Sequence, residues 1–134
     1  MEDCIFCKLA QKKMPVDIVY QDEYVLAMLD IFPHAKGHTV VIPKKHVSTL
    51  EELNEEEWKN ISVGLKKSLD KINEVLNPDG CNIGINNKEE AGQVVPHVHW
   101  HILPRYTGDN GGSIHSIVNN AKKEDVSKIA KLFI

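Results

Sequence analysis

Three histidines alternate with bulky apolar residues in His97-Val98-His99-Trp100-His101-Ile102-Leu103. Side chains on a β-strand repeat every two residues. The stretch therefore predicts three imidazoles on one face and Val98, Trp100 and Ile102 turned into a core. Imidazoles about 7 Å apart along a strand offer nucleophilic, acid–base or metal-ligating nitrogens near neutral pH. A fourth, His38, follows Gly37 and reaches the others only if two strands lie side by side. Near the N-terminus, Cys4-x-x-Cys7 has the spacing of half a zinc site, and two buried thiols or a redox pair fit the same spacing. Just before the histidines, Glu90-Ala91-Gly92-Gln93-Val94-Val95 places a glycine where a backbone can approach a ligand, with N–H groups able to cradle phosphate oxygens.

The elements that must position these residues follow from periodicity. Residues 4–13 predict a short helix with Ile5, Phe6 and Leu9 on one side, ended by Pro15. Residues 17–20 and 24–29 read as a hairpin about Gln21-Asp22-Glu23. The second run is apolar on both faces, as a central strand is. A third strand spans 38–42 and Pro43 closes it. Residues 55–76 predict the main helix, with Asn54 as cap, Glu57 completing a capping box, and Trp58, Ile61, Leu65, Leu69, Ile72 and Leu76 as one buried stripe. Asn77-Pro78-Asp79-Gly80 stops it. Strands over 81–86 and 97–103 follow, the latter ended by Pro104. The tail from 106 is Gly/Asn-rich, then weakly helical at 122–131. Five strands, one long helix and one short helix predict an α+β fold on a mostly antiparallel sheet.

With 134 residues, the chain has the size of one domain, 1–134, with the tail 106–134 least defined. A net charge of −3 gives no electrostatic footprint for nucleic acid. No apolar run reaches the roughly 20 residues of a membrane span. The acidic start MEDCIFCKLA lacks a signal-peptide pattern, which predicts a cytoplasmic protein. Three cysteines cannot all pair within the chain, and in a reducing compartment Cys-x-x-Cys reads as metal-binding or redox.

His-Val-His-Trp-His-Ile-Leu resembles the signature of the histidine triad family. The likeness extends through DIFPHAKGH, VVIPKKH, INN, EAGQVV and HVHWHILPR, so nearly the whole chain carries it. It implies a nucleotide-binding hydrolase or transferase acting at the α-phosphate of purine nucleotides. The middle histidine, here His99, would be the nucleophile of a covalent nucleotidyl-imidazole intermediate that water resolves to AMP or GMP. Such an intermediate splits one hard displacement into two easier ones. By matching position, His101 contacts the phosphate or leaving group and His38 positions both. Asn86 and Gln93 are polar phosphate and leaving-group contacts. Gly92 brings the loop close, and the backbone at Val94 and Val95 holds the phosphate. Asp30 takes the ribose hydroxyls, and Ile5, Phe6, Leu9 and Ile31 form an apolar slot for the base.

The bacterial members with an N-terminal CxxC bind structural zinc, and the matching positions here are Cys4, Cys7, His46 and His97. Four protein ligands make a closed, structural site, and no catalytic metal is implied. The resemblance also implies a homodimer whose two sheets join into ten strands. Of the branches, a nucleoside phosphoramidase of the Hint type leads. EAGQ and the Gly-Asp after HVHWHILPR lean toward the dinucleoside polyphosphate hydrolases of the fragile-histidine-triad type. Two readings from other classes compete: a catalytic zinc shared by His97, His99 and His101, which leaves CxxC unexplained, and a non-catalytic nucleotide-binding scaffold. His34 and His115 read as loop histidines and Cys81 as a strand residue.

Overall fold

The computed structural model describes residues 3–119 and 123–134. Its elements are α1 (Ile5–Ala10), β1 (Ile18–Gln21), β2 (Val25–Leu29), β3 (Thr39–Pro43), α2 (Glu55–Leu76), β4 (Gly80–Ile85), β5 (Trp100–Arg105) and α3 (Val126–Ala130), with short 3-10 turns between. The strands form one sheet in the order β1-β2-β3-β5-β4. Every neighbouring pair is antiparallel, so the sheet is wholly rather than mostly so. Among the described residues, no helix is long and apolar enough to cross a membrane.

Alternation along the strands divides the sheet into two faces. Val25, Ala27, Val41, Trp100 and Ile102 face α2, where Ile61 and Ile72 are buried with Leu65, Leu69 and Leu76 packed beside them. The helix spans 55–76 as its pattern predicts. Asn54 Oδ1 accepts from Glu57 N–H at 2.8 Å, and Glu57 Oε1 accepts from Asn54 N–H at 2.9 Å. Trp58 departs from the stripe. It is exposed, with its ring 5.7 Å from that of Trp100. Gly64 lets α2 approach β2 closely, since a Cβ there would lie 2.8 Å from both Val25 methyls.

The opposite face carries Leu26, Met28, Val40 and Ile42, on which Phe6, Leu9 and Ala10 of α1 pack. This helix is shorter than the 4–13 span expected. Gln11 N–H closes it onto Cys7 C=O, and Lys12 turns the chain at φ 59°. The cover leaves the β3–β5–β4 side of that face open, where His38 and His101 lie.

Two further boundaries shift. The last strand begins at Trp100, not at residue 97, because its pairing with β3 stops at Val41↔Trp100. His97-Val98-His99 instead runs beside the 43–47 loop, with Val98 N–H on Val47 C=O at 2.7 Å. The strand also continues through Pro104 to Arg105. Pro104 stays in register there opposite Cys81 of β4, while on the β3 side the pairing ends at Thr39↔Ile102. The expected 122–131 helix is confined to Val126–Ala130, and residue 122 lies outside the described residues. Val126, Leu132 and Phe133 stay exposed, so the described part of the tail adds nothing to the core.

Candidate active site and metal centre

Cys4 caps α1, its Sγ accepting from Cys7 N–H at 3.4 Å. That turn points both sulfurs at the start of the histidine run. Cys4 Sγ lies 3.3 Å from His97 Nδ1, and Cys7 Sγ lies 3.3 Å from His46 Nδ1 and 3.6 Å from His97 Nδ1. All four donor atoms fall within 4.8 Å of one another. A tetrahedral zinc with bonds of about 2.3 Å to sulfur and 2.0–2.1 Å to nitrogen separates S from N by about 3.5 Å. The donor set fits. His97 Nε2–H donates to Pro43 C=O at 2.8 Å, which leaves the Nδ1 lone pair facing the thiols. Burial holds the pKa of His97 at about 4, so the ring is the neutral imidazole that a metal requires.

His99 is buried, and its Nδ1–H donates to its neighbour His97 C=O at 2.9 Å. A carbonyl can only accept, so the proton sits on Nδ1 and the Nε2 lone pair is free for attack. His101 follows on the same face, ring centroid 5.1 Å away.

A relay fixes the proton on His101 as well. His34 N–H donates to His38 Nδ1 at 3.1 Å, so His38 carries its proton on Nε2. That Nε2–H donates to His101 Nδ1 at 2.9 Å, leaving His101 with Nε2–H as a donor. Burial first, then His99 and His38, hold His101 at about 4, and burial also lowers His38 against the raising influence of Asp30. Both rings are neutral near pH 7. Asp30 Oδ2 stands 3.6 Å from His38 Nε2, while Oδ1 accepts Phe32 N–H at 2.8 Å. Asp30, His38 and His101 also bring three donor atoms within 4.8 Å. The proton on His38 Nε2 occupies the position a metal would need, so this group is a hydrogen-bond relay. Nor do His97, His99 and His101 converge on one ion, since His97 Nδ1 faces the thiols and His101 Nδ1 faces His38.

The remaining expected residues divide. Asn86 lies beside Gly92, whose αL conformation (φ 96°) closes the 89–91 turn. Neither Val94 N–H nor Val95 N–H has an acceptor among the described residues, and Val94 is 89% exposed. Gln93 is committed to the backbone: Oε1 accepts Lys88 N–H at 2.7 Å, and Nε2 donates to Ser48 and Val95 carbonyls at 2.7 and 3.0 Å. Of the expected apolar slot, Phe6 and Leu9 pack on the sheet, while Ile5 is 43% and Ile31 77% exposed.

A cavity of about 870 Å³ runs from Asp30, His38 and His101 over Gly84 and Asn82 to Ile114 and Ile117 of the tail. Gly84 pairs directly with His101, and beyond its missing Cβ the space is open. At the far end Arg105 clasps Asp109 at 2.8 and 2.9 Å and Asn82 Oδ1 at 2.7 Å. Sequence reasoning missed this clasp, although the i,i+4 Arg-Asp spacing after a strand was a usable signal. It also missed the role of His34, which acts through its backbone N–H and leaves no trace in residue type. Asn87 was missed too. Its Oδ1 accepts Leu50 N–H at 2.9 Å and holds the loop before the histidines against residues 50–52.

The HIT domain model matches residues 11–108. An uncharacterized HIT-like protein of Methanocaldococcus jannaschii is 45% identical over 128 residues, covering 96% of this chain and 98% of that protein. An adenosine 5'-monophosphoramidase of Schizosaccharomyces pombe is 37% identical over 108 residues, covering 81% and 78% respectively. The crystal structure of SMU.412c from Streptococcus mutans superposes with a TM-score of 0.86 at 37% identity, covering 99% of this chain and 82% of that one.

Proposed function

This chain belongs to the HIT family, and on that premise we propose that it is a nucleoside phosphoramidase working through a nucleotidyl-His99 intermediate. The observation that carries the reading is the 2.9 Å bond from His99 Nδ1–H to His97 C=O, which reserves Nε2 for phosphorus. His99 Nε2 bonds to the α-phosphorus as the P–N bond of the substrate breaks. His101 Nε2–H donates a hydrogen bond to the leaving nitrogen, which departs as the amine with a proton drawn from solvent. Water then attacks the adduct, gives up a proton to solvent, frees His99 and releases AMP or GMP. The bond from Nδ1–H to the carbonyl stabilises the cationic ring of the adduct. The free N–H groups of Val94 and Val95 suit the phosphate oxygens, with Asn86, Gly92 and Gln93 beside them. Asp30 suits the ribose hydroxyls, and Leu9, Ile5 and Ile31 the purine.

Cys4, Cys7, His46 and His97 would hold a structural zinc, whose chemistry is to fix α1 against the loop that carries His99. Thiol ligands of this kind persist in a reducing compartment, in keeping with a cytoplasmic protein. Among the described residues β4 is an edge strand, and exposed Ile83 on it and Val63 on α2 support pairing with a second copy.

The room beyond Gly84 favours a second reading, hydrolysis of a dinucleoside polyphosphate whose second half would lie there. Intact-mass analysis after mixing with adenosine phosphoramidate tests the main reading. A transient adenylyl adduct and AMP release are expected from the wild type, and neither from His99→Ala. Unchanged turnover in His99→Ala refutes it, and faster turnover of diadenosine polyphosphates selects the second reading.

A further inference from the structure

The Cys/His cluster touches His99 twice. The carbonyl that fixes the His99 tautomer belongs to His97, whose ring is a cluster donor. The second contact is Phe6, which sits on α1 between Cys4 and Cys7. Its ring meets His97 edge-on at 5.8 Å and 89°, and His99 at 5.0 Å and 69°. One aromatic side chain therefore wedges between the metal-ligand histidine and the nucleophile. α1 has six residues, far too few to persist on helical propensity alone. Its hold beside His97 comes from the two cysteines and from Phe6, Leu9 and Ala10 on the sheet.

We propose that Phe6 is a positioning residue: the Cys/His cluster clamps α1 so that the Phe6 ring fixes the orientation of His99 for attack on phosphorus. This rests on His99 as nucleophile, and it gives Phe6 a different duty from a base contact. A base contact acts on substrate affinity. A wall behind the nucleophile acts on the chemical step, where small displacements of a reacting group cost about 100-fold in rate. The cluster would then set the rate as well as the stability, since loss of its grip on α1 frees Phe6.

The test uses the full chain, zinc-loaded and chelated, as wild type, Phe6→Leu and Phe6→Tyr. Zinc content and circular dichroism establish that each variant is loaded and folded. In Phe6→Leu, kcat for adenosine phosphoramidate is expected to fall about tenfold or more with KM within about twofold. Phe6→Tyr, which keeps the ring edge, is expected to restore most of it. Imidazole nitrogen NMR supplies a readout independent of turnover. Chelation of the wild type and Phe6→Leu in the loaded protein are expected to shift the His99 signals alike, and chelating the variant to add little. A raised KM with unchanged kcat returns Phe6 to the base slot and overturns the proposal. So do His99 signals indifferent to both perturbations, or a wild-type chain that takes up no zinc. If no phosphoramidate or dinucleotide is turned over, the functional reading fails, while the NMR comparison still decides whether cluster and His99 are coupled.

Discussion

Replacing His38 by alanine removes the donor that fixes the proton of His101 without touching the nucleophile. His38 is only 4% exposed, and its Nε2–H reaches His101 Nδ1 at 2.9 Å. In His38→Ala, His101 Nδ1 loses its donor and His34 N–H loses its acceptor. A buried polar group left without a partner costs about 1–3 kcal/mol. Only part of that penalty falls on the reacting geometry, because His101 can then place its proton on either nitrogen. At 1.36 kcal/mol per factor of ten, a loss of about 10- to 100-fold in kcat is expected. KM should change by no more than about threefold, because the relay orients a hydrogen-bond donor to the leaving group more than it binds substrate. Steady-state release of AMP from adenosine phosphoramidate measures both constants. His38→Gln presents an amide N–H in the same direction and is expected to recover a substantial share. Wild-type kcat in His38→Ala would show that the tautomer of His101 does not matter and would refute the relay.

Other outcomes can be checked on the same preparations. One zinc per chain is expected by elemental analysis, lost in Cys7→Ser and His46→Ala but retained in Cys81→Ser; retention in the first two would sink the four-ligand site. Gly64→Ala sets a helix gain of about 1 kcal/mol against overpacking of about 1–3 kcal/mol. With a Cβ 2.8 Å from the Val25 methyls, overpacking is expected to win and lower the urea midpoint, and a raised midpoint would count against the close packing. His101 has a folded pKa of about 4 against an ordinary 6.5, so the unfolded chain binds the extra proton first. Stability should therefore fall as pH drops from about 6.5 toward 4, by about 1–2 kcal/mol after allowing for its partial exposure. Urea titrations at pH 7 and pH 5 should show a flatter dependence in His101→Gln, and an identical slope would exclude His101 as a source.

What could be read from residue types was whatever depends on period and local chemistry. α2 and its capping box were legible because a 22-residue amphipathic pattern with Asn54 and Glu57 has few alternatives. The alternation of His97, His99 and His101 was legible too, but the conclusion that they share one strand was not. Strand length is set by the partner, and the pairing of β3 with β5 stops at Val41↔Trp100 although β3 itself runs on to Pro43. Pro104 misled for a related reason, since pairing with β4 carries the strand through it. The division of the three histidines by tautomer lies in the carbonyls of Pro43 and His97 and the N–H of His34. Those backbone groups are the same whatever the residue type. Gln93 shows the converse: its type suggested a ligand contact, and its amide holds the loop in place.

The cluster also has a consequence for how the chain comes to be folded. Cys4 and His97 are 93 residues apart. A metal shared between them would act as a cross-link closing most of the domain into a loop. By the chain-entropy reckoning used for disulfides, such a closure removes about 4–5 kcal/mol of freedom from the unfolded state. During synthesis the two thiols emerge first, and the last ligand emerges only after all of α2 and β4. The cluster can therefore close only after β1 to β4 have been made, just ahead of β5, the strand that must insert between β3 and β4 to complete the sheet.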